Sequence, residues 1–258
     1  MAKIYYNPED LEMMRDKLPE LGSRYEGLRQ RIAIHKFKSA ECEEHAMHGF
    51  LRRAAMMWRC IERTFELIPP DLEEVPTAET IADGTCYLQT FYMNTFGSCD
   101  NLAWMLVLEK EIKRDDRSDL PRGHIGLQRK NKTVRNKVSP ELNEVLDGKE
   151  EWLKHVVDFR DSLAHRIPLY IPPYIVADDD TEEYHRLEAA AWRALRLGKL
   201  EESKALRVEQ SKLTFFRPWF THSFREKSPH VVIHPQLLSD FGAIVELGET
   251  VMVELEAA

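Results

Sequence analysis

At 258 residues, with 43 % hydrophobic and 31 % charged residues, the chain has the make-up of an ordinary globular protein and can bury a substantial core. A formal net charge of −8 excludes non-specific coating of nucleic acid by the whole surface, while leaving room for a local basic groove. Cys42, Cys60, Cys86 and Cys99 lie too far apart for the paired short spacings of a zinc site. Three of them fall in apolar helical patterns, which predicts buried free thiols in a reducing compartment. The first residues lack the apolar region of a signal peptide, and no segment is long enough to span a bilayer. A soluble, cytoplasmic protein without a membrane partner is expected.

In chain order, residues 8–34 carry a helical pattern interrupted by Pro19 and Gly22, which predicts one or two short helices. From Ala40 to Ile68 a stripe of Met47, Leu51, Ala54, Trp58, Ile61, Phe65 and Ile68 predicts the first long bundle helix, stopped by Pro69 and Pro70. The acidic stretch 71–76 reads as an exposed loop. Residues 84–112 are apolar nearly all round, as in a central helix or one at a subunit interface, with Asp100 and Asn101 in the middle. A buried carboxylate at Asp100 needs a partner.

Between Asp119 and Glu141 there is no acidic residue. Arg122, Arg129, Lys130, Lys132, Arg135 and Lys137 accumulate there, so the stretch can follow a phosphate backbone or simply form a solvated loop. It lacks the interleaved aromatics of a base-stacking platform. Ser139-Pro140-Glu141 opens a short helix. The extended apolar run from Ile167 to Val176 is placed to pack across the bundle. A charged helix follows from Thr181 to about Gln210, interrupted at Gly198. Short strands are expected at 213–216 and 230–233, and then a last helix from Leu237 to Glu254, broken at Gly242 and Gly248.

The stretch that organises the chain is Asp158-Phe159-Arg160-Asp161-Ser162-Leu163-Ala164-His165-Arg166-Ile167-Pro168. Trp152, Val156, Phe159 and Leu163 share one helical face, and Arg160 projects into the apolar arc near Leu153 and Val156. A guanidinium there cannot lose its proton and requires a carboxylate, a phosphate or several carbonyls. Asp100 is the obvious counterpart. Pro168 ends the helix just after His165. On the residues alone, His165 is a helix-capping cation at the C-terminal end of a core helix.

Arg160-Asp161-Ser162-Leu163-Ala164-His165 also resembles the signature of the HEPN superfamily, an Arg followed after a few positions by a His, late in a helix. The resemblance covers essentially one helix. It implies a small helical bundle that forms a homodimer and acts as a metal-independent endoribonuclease, with the Arg and His of two protomers facing one cleft. It makes Asp100 or Asn101 the polar residue on an earlier helix, the choice between them open. Some HEPN nucleases carry a Tyr two residues after the His; Ile167 stands there, so a role for Tyr170 has no support from the motif.

The expected fold is therefore mostly α: an HEPN-like helical bundle over 40–176, with N-terminal helices in 1–39 and a C-terminal α/β elaboration over 177–258. The expected function is RNA cleavage, with His165 as acid and base and Arg160 on the scissile phosphate. Asp100 or Asn101 would orient them, Asp161 could instead hold the imidazole, and Arg122, Arg129, Lys130, Lys132 and Arg135 would bind RNA. No cofactor is expected; His45 and His48 beside Glu41 and Glu44 form only a weak metal pattern. Partners would be a second copy, RNA, and a regulatory or antitoxin protein, as for a toxin or defence protein. The alternative is a non-catalytic helical interaction module in which Arg160, Asp100 and His165 are structural.

Overall fold

Two long helices set the frame, because two stretches of the chain are apolar on more than one face. Residues 5–223, 225, 226 and 228–257 are described by a computed structural model, and the protein is mostly helical. Helix α4 (Ala78–Glu109) starts where the Thr77 side chain accepts the Thr80 N–H at 3.1 Å. Against it lies α3 (Leu51–Leu67), which turns Met57, Cys60, Ile61 and Thr64 inward. The second of these long helices, α10 (Ile233–Glu256), is buried along almost its whole length and packs on α3, on α4 and on the N-terminal helix.

Helix α1 (Pro8–Ile34) runs unbroken. Asn7 caps it through the Asp10 N–H at 2.8 Å, and Pro8 occupies its first turn. Pro19 does not end it. Pro19 and Arg15 both face solvent, so the carbonyl that loses its partner is met by water. Met14, Leu21, Tyr25, Leu28 and Ile32 bury one stripe, which packs against α10. At this crossing Gly248 has no Cβ to collide with Leu28 Cδ2, which would lie 2.6 Å from it. Gly248 therefore marks close packing, and α10 continues through both Gly242 and Gly248 without a break.

The stretch from Ala40 to Leu67 is likewise not one regular helix. A short α2 (Ala40–Glu44) leads into a π-helical turn over His45–Phe50 before α3 begins. Downstream come α5 (Lys132–Arg135), α6 (Pro140–Gly148) and α7 (Glu150–His165). The C-terminal part holds the hairpin of α8 (Thr181–Arg196) and α9 (Leu200–Ser211), and two small antiparallel ribbons. Strand β1 (Ile175–Val176) pairs with β2 (Thr214–Phe215), and β3 (Trp219–Phe220) with β4 (Val231–Val232).

One hydrophobic core runs from Tyr6 to Leu255. The division at residue 177 therefore needs correcting: α10 completes the bundle from inside, because it supplies the apolar face that α1, α3 and α4 cannot bury against each other. Cys42, Cys60 and Cys99 are buried free thiols and Cys86 is exposed. Among the described residues no helix is long and apolar enough to cross a membrane.

Candidate functional site

Helix α7 lays Leu153, Val156, Phe159 and Ser162 against α4. Arg160 follows Phe159 by one position and so emerges at the edge of that buried stripe. Its guanidinium carbon lies 4.1 Å from the Phe96 ring centroid, and Nη1 is 3.2 Å from the Asp161 carboxylate. Nε is buried and has no hydrogen-bond partner among the described residues. An arginine seated on an aromatic face and only loosely paired keeps donors for something else.

What it faces is a cleft of about 440 Å³. Phe96, Cys99 and Asp100 of α4 and Leu153, Val156 and Arg160 of α7 line the helical side; Arg122, Lys130 and Asn131 belong to the loop side. The loop holds its shape through Asn131, whose side chain donates to the His124 carbonyl at 3.1 Å. A Cβ at Gly126 would lie 2.7 Å from Asn131 Oδ1, so glycine is required where the loop folds over that amide. Arg129 fastens the loop to the end of α6 and the start of α7, its side chain donating to Asp147 (3.1 Å) and its backbone N–H to Glu150 (3.2 Å).

Three cations, Arg122, Lys130 and Arg160, thus line the cleft with one carboxylate, Asp100. Asp100 reaches solvent, but the concave walls remove enough water to push its carboxyl above the usual range, against the pull of Arg160 and Arg53. The charged side chains lining the cleft are therefore mostly basic, with one carboxylate among them.

The structure brings Arg160, Asp100, Arg122 and Lys130 to this cleft. Asn101 goes elsewhere: one residue further along α4, it bonds to Arg53 and His45. Asp161 pairs with Arg160 and not with an imidazole. His165 is exposed in the last turn and is not among the residues lining the cleft. Five residues of helix set it about 7.5 Å along the axis and about 140° around it from Arg160. The turn that carries it is held by Arg166, which binds the Asp158 carboxylate and carbonyl and reaches Glu226.

Of the loop cations, Arg129 is occupied by Asp147, Lys132 is exposed at the start of α5, and Arg135 is buried. Arg135 donates to the Leu127 carbonyl, to Asn143 and to Asp147, so it is a structural strut and not a ligand for RNA. Arg135→Ala should therefore destabilise the protein by about 2 kcal/mol, through carbonyls left without donors. Chemical denaturation measures this; an unchanged midpoint with weakened RNA binding would return Arg135 to the ligand set.

Sequence reasoning missed Phe96 as the platform for Arg160, and the group formed by His45, Arg53 and Asn101. The available signal was Gly49 and Gly97, isolated glycines inside helical patterns, which report a close approach. No group of three His, Cys, Asp or Glu among the described residues is arranged to hold a metal ion. Compared with known proteins, the chain matches no family model, no curated protein and no solved structure.

Proposed function

We propose that the cleft takes a phosphodiester of RNA and that the protein is a metal-independent endoribonuclease of HEPN type. The observation that carries this reading is Arg160 at the cleft wall, its guanidinium carbon 4.1 Å from the Phe96 ring centroid and its buried Nε unpartnered among the described residues, with Arg122 and Lys130 on the loop beside it. A guanidinium binds two oxygens of one phosphate at once, and basic side chains further along hold the neighbouring phosphates.

In the reaction, the 2'-oxygen of RNA attacks phosphorus and the bond from phosphorus to the 5'-oxygen breaks. The proton leaving the 2'-hydroxyl is taken by a base, and a proton is delivered to the 5'-oxygen. Arg160 neutralises the charge that builds on the phosphoryl oxygens. His165 carries the protons, and because it lies outside its own cleft it would act where a second copy of the chain brings two α7 helices together. Asp100 orients the groups from α4. A cytoplasmic site of action and restraint by a regulatory or antitoxin protein belong to the same reading.

The position of His165 favours one alternative, a binding module that holds an anionic partner without cutting it. The separating experiment is a cleavage gel on single-stranded RNA in excess chelator. Wild-type protein should cut, and His165→Ala should cut about a hundredfold more slowly at an unchanged melting temperature. Uncut RNA with every variant would leave the binding module.

A further inference from the structure

The hairpin of α8 and α9 stands apart from the rest of the fold. Its two helices pack chiefly on each other. Their buried residues Leu187, Ala191 and Ala194 form an interior of their own, outside the core that runs from Tyr6 to Leu255. Small side chains dominate that interior, so the helices lie close and their larger apolar residues are left outside. Trp192, Leu195 and Leu200 are 48 %, 43 % and 52 % exposed. Large apolar side chains gathered on one surface mark a contact.

These residues share a face. In α8, Glu188, Trp192 and Leu195 follow at spacings of four and three, and in α9, Leu200, Lys204 and Arg207 do the same. Ala191 and Ser203 point at the sister helix, and both triplets are turned from them by about 40° to 100° in the same sense. The Arg207 guanidinium carbon lies 5.1 Å from the Trp192 ring centroid, which puts the two triplets on one side of the hairpin.

The chain reverses at Gly198, whose φ is +74°, and two hydrogen bonds fix the register of the returning helix. Ser203 Oγ donates to the Ala191 carbonyl at 2.9 Å, and Gln210 Nε2 to the Tyr184 carbonyl at 3.4 Å. Leu195 is thereby level with Leu200, Trp192 with Lys204, and Glu188 with Arg207. Each level joins complements: apolar with apolar, aromatic with cation, carboxylate with guanidinium. Within the protomer Glu188 and Lys204 have only the exposed partners His185 and Glu201, which hold them weakly.

A two-fold axis along the hairpin, just outside this face, lays α8 of one copy over α9 of another, so every level meets its complement. All neighbouring helices in the resulting four-helix bundle are antiparallel, as helix dipoles favour. The sorting of charge names the occupant. The face carries its acid on α8 and its bases on α9, so an anionic surface would be repelled by Glu188, whereas a second copy meets opposite charge on both helices.

We propose that the α8–α9 hairpin is a dimerisation arm that binds the same hairpin of a second copy of this chain. Leu195 packs on Leu200 of that copy, Trp192 lies against its Lys204, and Glu188 pairs with its Arg207. This contact is separate from any pairing of α7 helices at the cleft and does not depend on what the cleft binds.

Sedimentation equilibrium of the full-length protein across the micromolar range tests this. Wild type should reach twice the chain mass of 30.2 kDa. Leu195→Glu, at an exposed position, should be monomeric at an unchanged melting temperature. Glu188→Arg and Arg207→Glu each set like charges opposite one another and should each weaken the dimer about tenfold. Mixing these two variants restores opposite charges at both contacts and should recover wild-type association, a recovery that only contact between chains produces. A dimer that Leu195→Glu leaves intact, or a mixture no tighter than the single variants, would overturn the proposal. So would a wild-type monomer at every concentration; if that monomer sediments with phosphatidylserine vesicles, the face belongs to a lipid surface instead.

Discussion

If the cleft cleaves RNA as proposed, Arg160→Ala should keep its fold and lose cleavage by about a thousandfold. The fold survives because this side chain adds little to stability. The guanidinium rests on one aromatic face and pairs with a partly exposed carboxylate on the adjacent residue. Exposed ion pairs and cation–π interactions of this kind contribute about 1 kcal/mol each or less. A guanidinium paired with a buried carboxylate would instead take several kcal/mol with it, but Asp100 reaches solvent. The chemical effect is larger, because removing a donor aimed at charge that develops in the transition state costs about 4 kcal/mol. Arg160→Lys restores the charge without the fork and should recover only part of the rate. A thermal melt beside a cleavage time course in chelator measures both effects. A large fall in melting temperature would mean that Arg160 is a structural residue after all.

The second large effect is on stability and its pH dependence. Asp240 is fully buried, and its partners are neutral donors: Trp152 Nε1–H (2.8 Å), Gln236 Nε2–H (2.7 Å) and the Tyr92 hydroxyl (2.9 Å). Burial pushes its carboxyl up to about 6, the three donors holding it from going further. The folded protein therefore binds more protons than the unfolded chain between about pH 4 and pH 6, and stability falls by about 3 kcal/mol as pH rises through that window.

His234, also fully buried, donates from Nε2 to the Ile68 carbonyl at 2.6 Å and accepts from the Tyr6 hydroxyl at 3.0 Å. Burial lowers it to about 4, the Ile68 carbonyl opposing. Here the unfolded chain binds the extra proton between about pH 4 and pH 6.5, so stability falls by about 3 kcal/mol as pH drops. The two contributions have opposite sign over nearly the same range and offset each other. Asp240→Asn removes one of them. The variant should be more stable than wild type by up to about 3 kcal/mol at about pH 7, and should lose that advantage steadily toward about pH 4. Denaturant midpoints measured from about pH 4.5 to about pH 7.5 test this; parallel curves for the two proteins would refute it.

Arg160 could be found in the sequence because a permanent charge inside an apolar arc is an anomaly that only a specific environment resolves. Asp100 followed from it by mutual need, and the two do share a cleft. Asn101 looked equivalent to Asp100 because sequence places them side by side, yet one residue of helix turns a side chain by about 100°. That rotation gives Asn101 to Arg53 and His45. Arg135 looked like its neighbours in a basic run, since composition cannot show which cation a fold will bury.

The glycines misled for a related reason. Gly22, Gly242 and Gly248 read as helix breaks, whereas a Cβ at each would meet Trp58, Leu21 or Leu28. They mark where helices approach each other, and that information lies in the partner helix. The π-helical turn at His45 has no periodic signature that distinguishes it from an α-helix, so the group built on it appears only in three dimensions.

The central claim is that the guanidinium of Arg160 is kept free for a phosphodiester, and its Nε–H reports this directly. Nitrogen-edited NMR of the arginine side chains, during titration with an uncleavable 2'-O-methyl oligoribonucleotide, should show the Arg160 Nε–H signal shifting to saturation in step with binding. A signal that stays in place while the oligonucleotide binds would put the RNA elsewhere on the molecule and contradict the account.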